Sequence, residues 1–258
     1  KWMDGRDVPL IREKKEADVL YWAGCSGAYD TRGKEISQSV VDVLNKAGVD
    51  FASLGNEETC TGDSARRIGN EYLFQMMATK NMETFEKYKF KKIVTQCPHC
   101  LTTLKNDYSE LGANLDVVHH SQYISDLIKD GKIEPEPWMD DDVTYHDPCY
   151  LGRHSGEYDA PRDVIQSIMR DGKLVEMEQN KKESFCCGAG GGNMWHEIDE
   201  GTRVNVERFE QAVETGADTV ATGCSFCTIM MDDAMKVTGK EEVMEVKDIA
   251  EIVGDSID

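Results

Sequence analysis

Several kinds of segment are missing from the sequence, and each absence narrows what the chain can be. No apolar run of about 18 residues exists, which excludes a membrane-spanning helix, and no secretory signal peptide is recognisable. Basic residues are scarce: 29 lysines and arginines face 49 acidic residues, giving a formal net charge of −20. Nucleic acids and anionic membranes require clustered cations, so the charge argues against both as partners.

The first residue and the missing export signals lead to expectations about the origin of the chain and its location in the cell. The chain begins at Lys1 rather than at an initiator methionine, so we expect a fragment or a processed product. Without an export signal or a membrane span we expect a cytoplasmic location. Any membrane attachment would then come through a partner or through a missing N-terminal region.

Cysteine, in contrast, is abundant for a chain without an export signal. An odd number of cysteines in such a chain does not favour a disulfide framework. We therefore predict that the thiols bind a metal or a cluster. The nine residues are Cys25, Cys60, Cys97, Cys100, Cys149, Cys186, Cys187, Cys224 and Cys227.

Predicted strands and helices alternate along the chain, and the cysteines follow the strands. The predicted strands are 18–24, 49–54, 92–96 and 115–119, then 143–146, 174–177, 219–222 and 243–246. Apolar periodicity predicts helices between them, including 64–79, 82–88 and 204–213. This alternation is typical of parallel sheets covered on both faces, whose sites form at the carboxyl ends of strands. The predicted fold is α/β, with two duplicated Rossmann-like halves and one cysteine cluster in each.

The boundaries of these halves follow from composition. Residues 1–17 are charged and mixed, and are expected to form an N-terminal arm outside the core. The first module covers 18–130 and the second 143–258. Between them, 131–142 contains Pro135, Pro137 and three consecutive aspartates, which is typical of a linker.

The cysteine spacing repeats between the halves. In the second half, 36 residues separate Cys149 from Cys186, and 36 separate Cys187 from Cys224. In the first half the corresponding separations are 34 and 36 residues, and each half ends with a C-x-x-C pair. This repetition predicts two equivalent sites that together use every cysteine.

The most informative segment has two adjacent cysteines followed by four glycines in five residues: Phe185-Cys186-Cys187-Gly188-Ala189-Gly190-Gly191-Gly192-Asn193. Adjacent thiolates suit a multi-iron cluster, where neighbouring ligands reach different irons. Glycine adopts positive φ and allows close approach of the backbone, so its N–H groups can point at sulfur. Such hydrogen bonds tune iron–sulfur potentials. Gly188, Gly190 and Gly191 are therefore predicted to bind the cofactor.

On these residues the chain resembles the CCG-domain family, cysteine-rich proteins that include the B-type and D-type subunits of heterodisulfide reductase and iron–sulfur oxidoreductases linked to electron-transfer flavoprotein. The resemblance covers 18–253, and the second half matches all five family ligands. It implies a non-cubane [4Fe-4S] cluster there, an oxidoreductase activity on a disulfide or quinone, and ferredoxin-like or flavoprotein partners. Larger members carry a ferredoxin run of four closely spaced cysteines that this sequence lacks. The chain is therefore expected to be a B-type subunit or the C-terminal part of a longer protein.

The first half departs from the family pattern because Cys60-Thr61-Gly62 stands where C-C-G is expected. Alignment on the glycine makes Thr61 the replacement of the second cysteine, whereas alignment on the distance to C-x-x-C makes Thr59 the replacement of the first. Either way four thiols remain, which suffice for a cubane [4Fe-4S] relay cluster. An empty, degenerate site is the alternative.

Two further questions stay open at this level. Four cysteines could hold structural zinc in an interaction module without redox activity, although zinc would leave one of the five thiols in the second half unused. His146 and His154 flank Cys149 and are candidate catalytic proton donors. The alternative for both histidines is a structural or surface role.

Overall fold

The structure, a computed structural model, describes residues 2–196 and 201–257. The first half contains, in order, α1 (Ile11–Lys14), β1 (Glu16–Trp22), α2 (Gly24–Tyr29), α3 (Thr31–Lys46), β2 (Phe51–Ser53), α4 (Asp63–Arg67), α5 (Glu71–Phe85), β3 (Lys89–Thr95), α6 (Pro98–Thr102), β4 (Val117–His119) and α7 (His120–Lys129). A π-helical turn, Thr103–Asp107, extends α6, and short 3₁₀ helices occupy Gly55–Glu57 and Ser109–Leu111.

The second half is built from fewer elements. They are β5 (Val143–Tyr145), α8 (Asp159–Ile168), α9 (Val204–Val213), β6 (Thr219–Thr222), α10 (Ser225–Thr238), β7 (Glu245–Asp248) and α11 (Ile249–Gly254). The 3₁₀ helices Lys181–Glu183 and Gly190–Trp195 flank the double cysteine. No helix among the described residues is long and apolar enough to cross a membrane.

Two parallel sheets confirm the predicted α/β class. The strand order is β2-β1-β3-β4 in the first sheet and β5-β6-β7 in the second. The final helix of each half begins in the same way, because His119 and Asp248 both occupy N-caps and form capping boxes with the third helical residue. The strands β5, β6 and β7 thus repeat β1, β3 and β4.

Three local expectations were wrong. The helix predicted at 64–79 is interrupted near Gly69, and the one predicted at 82–88 belongs to α5, which runs to Phe85. The segment 174–177 forms only a single parallel bridge from Leu174 to Val143, so the second sheet has no full counterpart of β2. The N-terminal segment is also part of the core rather than an arm outside it, since Trp2 packs edge-on against Tyr21 and Ile11 is buried.

The two halves pack directly on each other. One apolar core includes Tyr21 and Val40 from the first half and Tyr145, Ile165 and Ile249 from the second. Polar contacts cross the same interface. His120 Nε2 lies 2.8 Å from Asp248 Oδ1, and Gln96 donates to the Ser225 hydroxyl over 3.1 Å. This packing brings the carboxyl ends of the two central strands, β3 and β6, next to each other.

Candidate metal centres

Each central strand delivers a C-x-x-C pair to the start of a helix. Cys97 follows β3 and is the N-cap of α6, and Cys224 follows β6 and is the N-cap of α10. The N-terminus of a helix carries partial positive charge, which favours a thiolate over a thiol. Burial of all four thiols in these two pairs counters that effect by disfavouring charge.

The double-cysteine turn is shaped by Gly188. Its φ is +86°, and its N–H donates to Cys186 Sγ over 3.3 Å. A Cβ at this position would lie 3.1 Å from the Val204 Cβ, so a side chain there meets both a strained backbone and a neighbour. Gly191 also has positive φ, at +67°. The cofactor-binding role of Gly188, Gly190 and Gly191 stays a prediction.

All five thiols of the second half lie together. Cys149 interacts with Cys186, Cys186 with Cys187, and Cys224 with Cys227. The Sγ atoms of Cys187 and Cys227 are 3.2 Å apart. The neighbouring Cys149 and Cys187 thiols and the Gly188 N–H lower the pKa of Cys186, whereas the crowding of sulfur raises the pKa of Cys149 and Cys187. Such a set needs a cation to hold all of its members as thiolates.

The first half repeats this arrangement with four thiols. Cys25 interacts with Cys60, which lowers the pKa of Cys60 to about 7, and Cys97 interacts with Cys100. Gly62 has a φ of +88° and donates its N–H to Cys60 Sγ over 3.4 Å. These are the conformation and contact of Gly188 and Cys186. Thr61 therefore stands in the place of Cys187, which decides between the two alignments that the sequence left open.

The two sites adjoin. The Cys97 thiol interacts electrostatically with the Cys224 thiol, so the C-x-x-C pairs of the two halves are neighbours. The neighbouring contact from Gln96 to Ser225 supports this juxtaposition. Sequence reasoning predicted two sites but not their contact, because the packing of one half on the other is not recorded in the spacing within either.

The two histidines predicted as proton donors lie in different surroundings. His146 is buried, and a ring nitrogen lies within 4.8 Å of the Sγ atoms of Cys187 and Cys227. Burial and, after it, the charge of Arg208 hold the pKa of His146 well below its usual range. His154 is exposed and stacks on the ring of Tyr150 at 4.5 Å. Their catalytic role stays a prediction.

Polar groups that sequence reasoning missed support both sites. Glu58 accepts from the Gly24 N–H over 2.7 Å, and burial raises its pKa to about 8. Asp147 holds Arg162 in a bidentate pair beside Cys149. Arg208 is fully buried and donates to His146. A charged residue between apolar residues four positions away on either side, as Arg208 is between Val204 and Ala212, is a signal that could have identified it.

Two cavities lie near the cysteine sites. One of about 670 Å³ adjoins Cys25 and Cys60, with Trp2, Lys34 and Glu58 on its wall. The other, about 170 Å³, lies between the halves and is lined by residues of both, including the Ala189–Gly192 backbone. Aromatic and charged side chains complete its wall: His99, Tyr150, Phe226, Trp195, Arg67 and Asp63. His99 lies 2.9 Å from Asp63, whose carboxylate raises the pKa of His99 although burial opposes the charge.

Comparison with known proteins agrees with this geometry. A protein-family profile described as CCG, cysteine-rich domain, matches residues 19–105 and 143–232. The EtfAB:quinone oxidoreductase of Syntrophomonas wolfei subsp. wolfei is 42% identical, over 98% of this chain and 37% of its own length. The probable iron-sulfur-binding oxidoreductase FadF of Bacillus subtilis is 41% identical, over 97% and 36%. The D-type subunit of the dihydromethanophenazine:CoB–CoM heterodisulfide reductase of Methanosarcina mazei is 38% identical, over 96% and 61%. The chain thus spans little more than a third of the first two relatives.

Proposed function

The chain belongs to the CCG cysteine-rich domain family, and on that premise we propose that it transfers electrons within an iron–sulfur oxidoreductase. The named relatives are oxidoreductases, which supports an electron-transfer role. The observation that carries the proposal is that the five thiols of the second half form a chain of interacting neighbours, with the Cys187 and Cys227 Sγ atoms 3.2 Å apart.

Five thiols linked as a chain of neighbours fit a multi-iron cluster better than a single ion. A structural zinc ion binds four ligands in a tetrahedron, so it would leave a fifth, mostly buried thiol without a partner. A four-iron cluster has several metal atoms to share, and adjacent residues such as Cys186 and Cys187 can reach different ones. We therefore assign Cys149, Cys186, Cys187, Cys224 and Cys227 to a [4Fe-4S] cluster of the non-cubane type. When bound, such a cluster takes up and releases single electrons.

The first half is proposed to hold a conventional relay cluster. Cys25, Cys60, Cys97 and Cys100 are the four thiols that a cubane [4Fe-4S] cluster requires. The cavity of about 670 Å³ beside Cys25 and Cys60 leaves room on the exposed side of this set. Thr61, in the place of Cys187, accounts for the different ligand number of the two halves.

The proximity of Cys97 to Cys224 supports direct passage of electrons from one half to the other. Two neighbouring one-electron centres would suit an acceptor or donor that needs two electrons, such as a quinone, a disulfide or a flavin. The cavity between the halves offers a small reactant a position beside the Cys187 turn. The name of the Syntrophomonas wolfei relative favours EtfAB and a quinone as partners of the whole protein. Disulfide reduction is the second candidate, favoured by the larger matched share of the heterodisulfide reductase relative.

Anaerobic isolation with iron, sulfide and zinc analysis tests the proposal. We expect a brown protein with about eight iron atoms per chain and an EPR spectrum that contains two components. Cys187→Ser is expected to alter or abolish the component of the second half while the protein stays folded. An unchanged spectrum would rule out five-thiolate ligation. A colourless protein with stoichiometric zinc would replace the redox proposal by the structural one.

A further inference from the structure

We propose that each cysteine site contains one built-in N–H donor to its metal centre, His146 in the second half and Trp22 in the first. In the second half the donor is His146 Nε2–H, kept in that form by Arg208, which acts as a positioning residue. Neither side chain is a metal ligand in this arrangement. The inference rests on the proposed function, because a cluster sulfide or cysteine thiolate is the acceptor.

Arg208 fixes the protonation state of His146. Its Nε donates to His146 Nδ1 over 2.9 Å. A guanidinium has donors and no acceptor, so the hydrogen atom of this bond belongs to arginine and Nδ1 carries none. The imidazole is then neutral with its proton on Nε2, since the charged ring would turn an N–H of its own towards Arg208.

Arg208 itself has little freedom to move. It is fully buried. Its guanidinium also donates to the Gln179 carbonyl over 2.9 Å, to Gln211 Oε1 over 2.8 Å and to the Ser184 hydroxyl over 3.2 Å. These bonds hold the guanidinium from several sides, so the tautomer of His146 is determined by the fold.

The proton on His146 Nε2 has no acceptor among the described residues. Nε2 is buried without a hydrogen-bond partner, while the ring lies within reach of Cys187 and Cys227. A donor that is buried without an acceptor destabilises the folded protein. A sulfur atom of the bound centre would remove that cost. Ligation of iron by the same nitrogen would require an imidazolate, because Nδ1 already accepts from Arg208.

Trp22 occupies the same position in the first half. His146 lies three residues before Cys149, and Trp22 lies three residues before Cys25. Trp22 pairs with Thr95 on β3, and the register of Tyr145 with Ala221 puts His146 opposite Thr222, the equivalent residue on β6.

The Trp22 indole, like the His146 ring, has a buried N–H group without a hydrogen-bond acceptor. Trp22 is fully buried, and its Nε1 also has no hydrogen-bond partner. The Nε1 atom lies beside Gly24, in a space that the Cys97 Cβ and the Cys100 Sγ also border. Indole can only donate. Two different side chains thus place an orphaned N–H at equivalent positions of duplicated sites, which is what a shared acceptor at each site would require.

Redox titration of the iron-loaded protein, followed by EPR, tests the inference. Hydrogen bonds to sulfur raise the potential of such centres, so removing a donor makes reduction harder. We expect His146→Leu to lower the potential of the second site and Trp22→Phe that of the first. Each shift should change the reduced-to-oxidised ratio about tenfold, or about 59 mV for one electron. His146→Asn retains an N–H and should recover part of the shift. Trp138→Phe removes another buried, unpartnered indole N–H, in the segment between the halves, and should change neither potential.

The tautomer gives a readout independent of metal. In the reduced, metal-free protein labelled with ¹⁵N-histidine, we expect NMR to show the His146 proton on Nε2, and Arg208→Met to abolish that preference. A proton on Nδ1, or a doubly protonated ring at neutral pH, would overturn the role of Arg208. Unchanged potentials in both His146→Leu and Trp22→Phe would overturn the donor assignment. Loss of one site's iron in His146→Asn with the NMR fold intact would instead make His146 a ligand. Absence of iron and sulfide from the wild type would refute the proposed function and leave the tautomer measurement standing.

Discussion

Replacement of Asp147 by asparagine tests how the second site is held together. Asp147 accepts from Arg162 Nη1 over 2.8 Å and from Nη2 over 2.9 Å, and its Oδ2 also accepts the Lys181 N–H over 2.7 Å. Asp147 lies two residues before Cys149, and Lys181 lies five residues before Cys186. One carboxylate thus fixes the spacing between the first cysteine of the site and the double-cysteine turn.

The expected cost follows from burial. The Arg162 and Asp147 side chains are 8% and 2% exposed, so Asp147→Asn leaves a buried guanidinium without its main counter-charge. Removal of one partner of a buried pair costs about 3–5 kcal/mol. Glu176 still accepts from Arg162 Nε over 2.6 Å, which places the expected loss at the lower end, about 3 kcal/mol. Glu176 is 34% exposed, so Glu176→Gln should cost only about 0–1 kcal/mol.

Urea unfolding of the reduced, metal-free protein measures both losses without interference from the cofactor. The free energies of unfolding of wild type, Asp147→Asn and Glu176→Gln are compared at neutral pH and moderate salt. A loss for Asp147→Asn below about 1 kcal/mol, or one equal to that of Glu176→Gln, would refute the reasoning that burial makes Asp147 the essential partner.

Three further outcomes test the duplicated sites. Thr61→Cys restores the thiol that the first half lacks, so the EPR component of the first site should become more like that of the second site. Thr61→Ser should leave the component of the first site unchanged. Identical spectra for the two variants would contradict the alignment of Thr61 with Cys187. An alanine in the left-handed conformation costs about 1–2 kcal/mol, and Gly188→Ala should destabilise the metal-free protein by more than this because its Cβ meets Val204. The control Gly192→Ala, at a φ of +81° in open space, should cost no more than the backbone strain alone. Equal urea midpoints for the two variants would argue against the close contact. Burial raises the pKa of Glu58 to about 8, so the folded state binds more protons than the unfolded state and stability falls as pH rises through about 5 to 8. Glu58→Gln should remove that fall, and parallel stability–pH curves would count against it.

The sequence predicted best what is local. The helix 204–213 and the strand 219–222 match the structure residue for residue, because apolar spacing along one element records which face is buried. The segment 174–177 misled for the same reason: three of its four residues are apolar, but it forms only the single bridge from Leu174 to Val143 of β5. An apolar run of this length indicates burial without specifying whether a neighbouring strand is available for pairing.

What the sequence could not provide is the relation between elements that are distant in the chain. The approach of Cys97 to Cys224 depends on the packing of the halves, and no spacing within either half encodes it. The role of His146 depends on Arg208, 62 residues further along the chain. The glycine of each C-x-G turn, in contrast, indicated the position of the thiols, because its positive φ and its N–H bond to sulfur involve only residues of the same turn. This is why the sequence alone could reduce the missing thiol of the first half to two alternatives.

The differences between the halves give the pair of sites a direction. A positive charge near an iron–sulfur centre favours its reduced, more negative form, and a negative charge disfavours it. The second site lies against the buried guanidinium of Arg208, which interacts with the thiols of Cys187 and Cys227. Glu58 beside the first site supplies no compensating cation, and burial raises its pKa to about 8, so it is mostly neutral at neutral pH and becomes an anion above that. The positive charge of His99 does not compensate, because Asp63 lies 2.9 Å away. Under the proposed assignment of one cluster to each half, electrons that enter the first half should therefore move to the second, which lies beside the cavity between the halves.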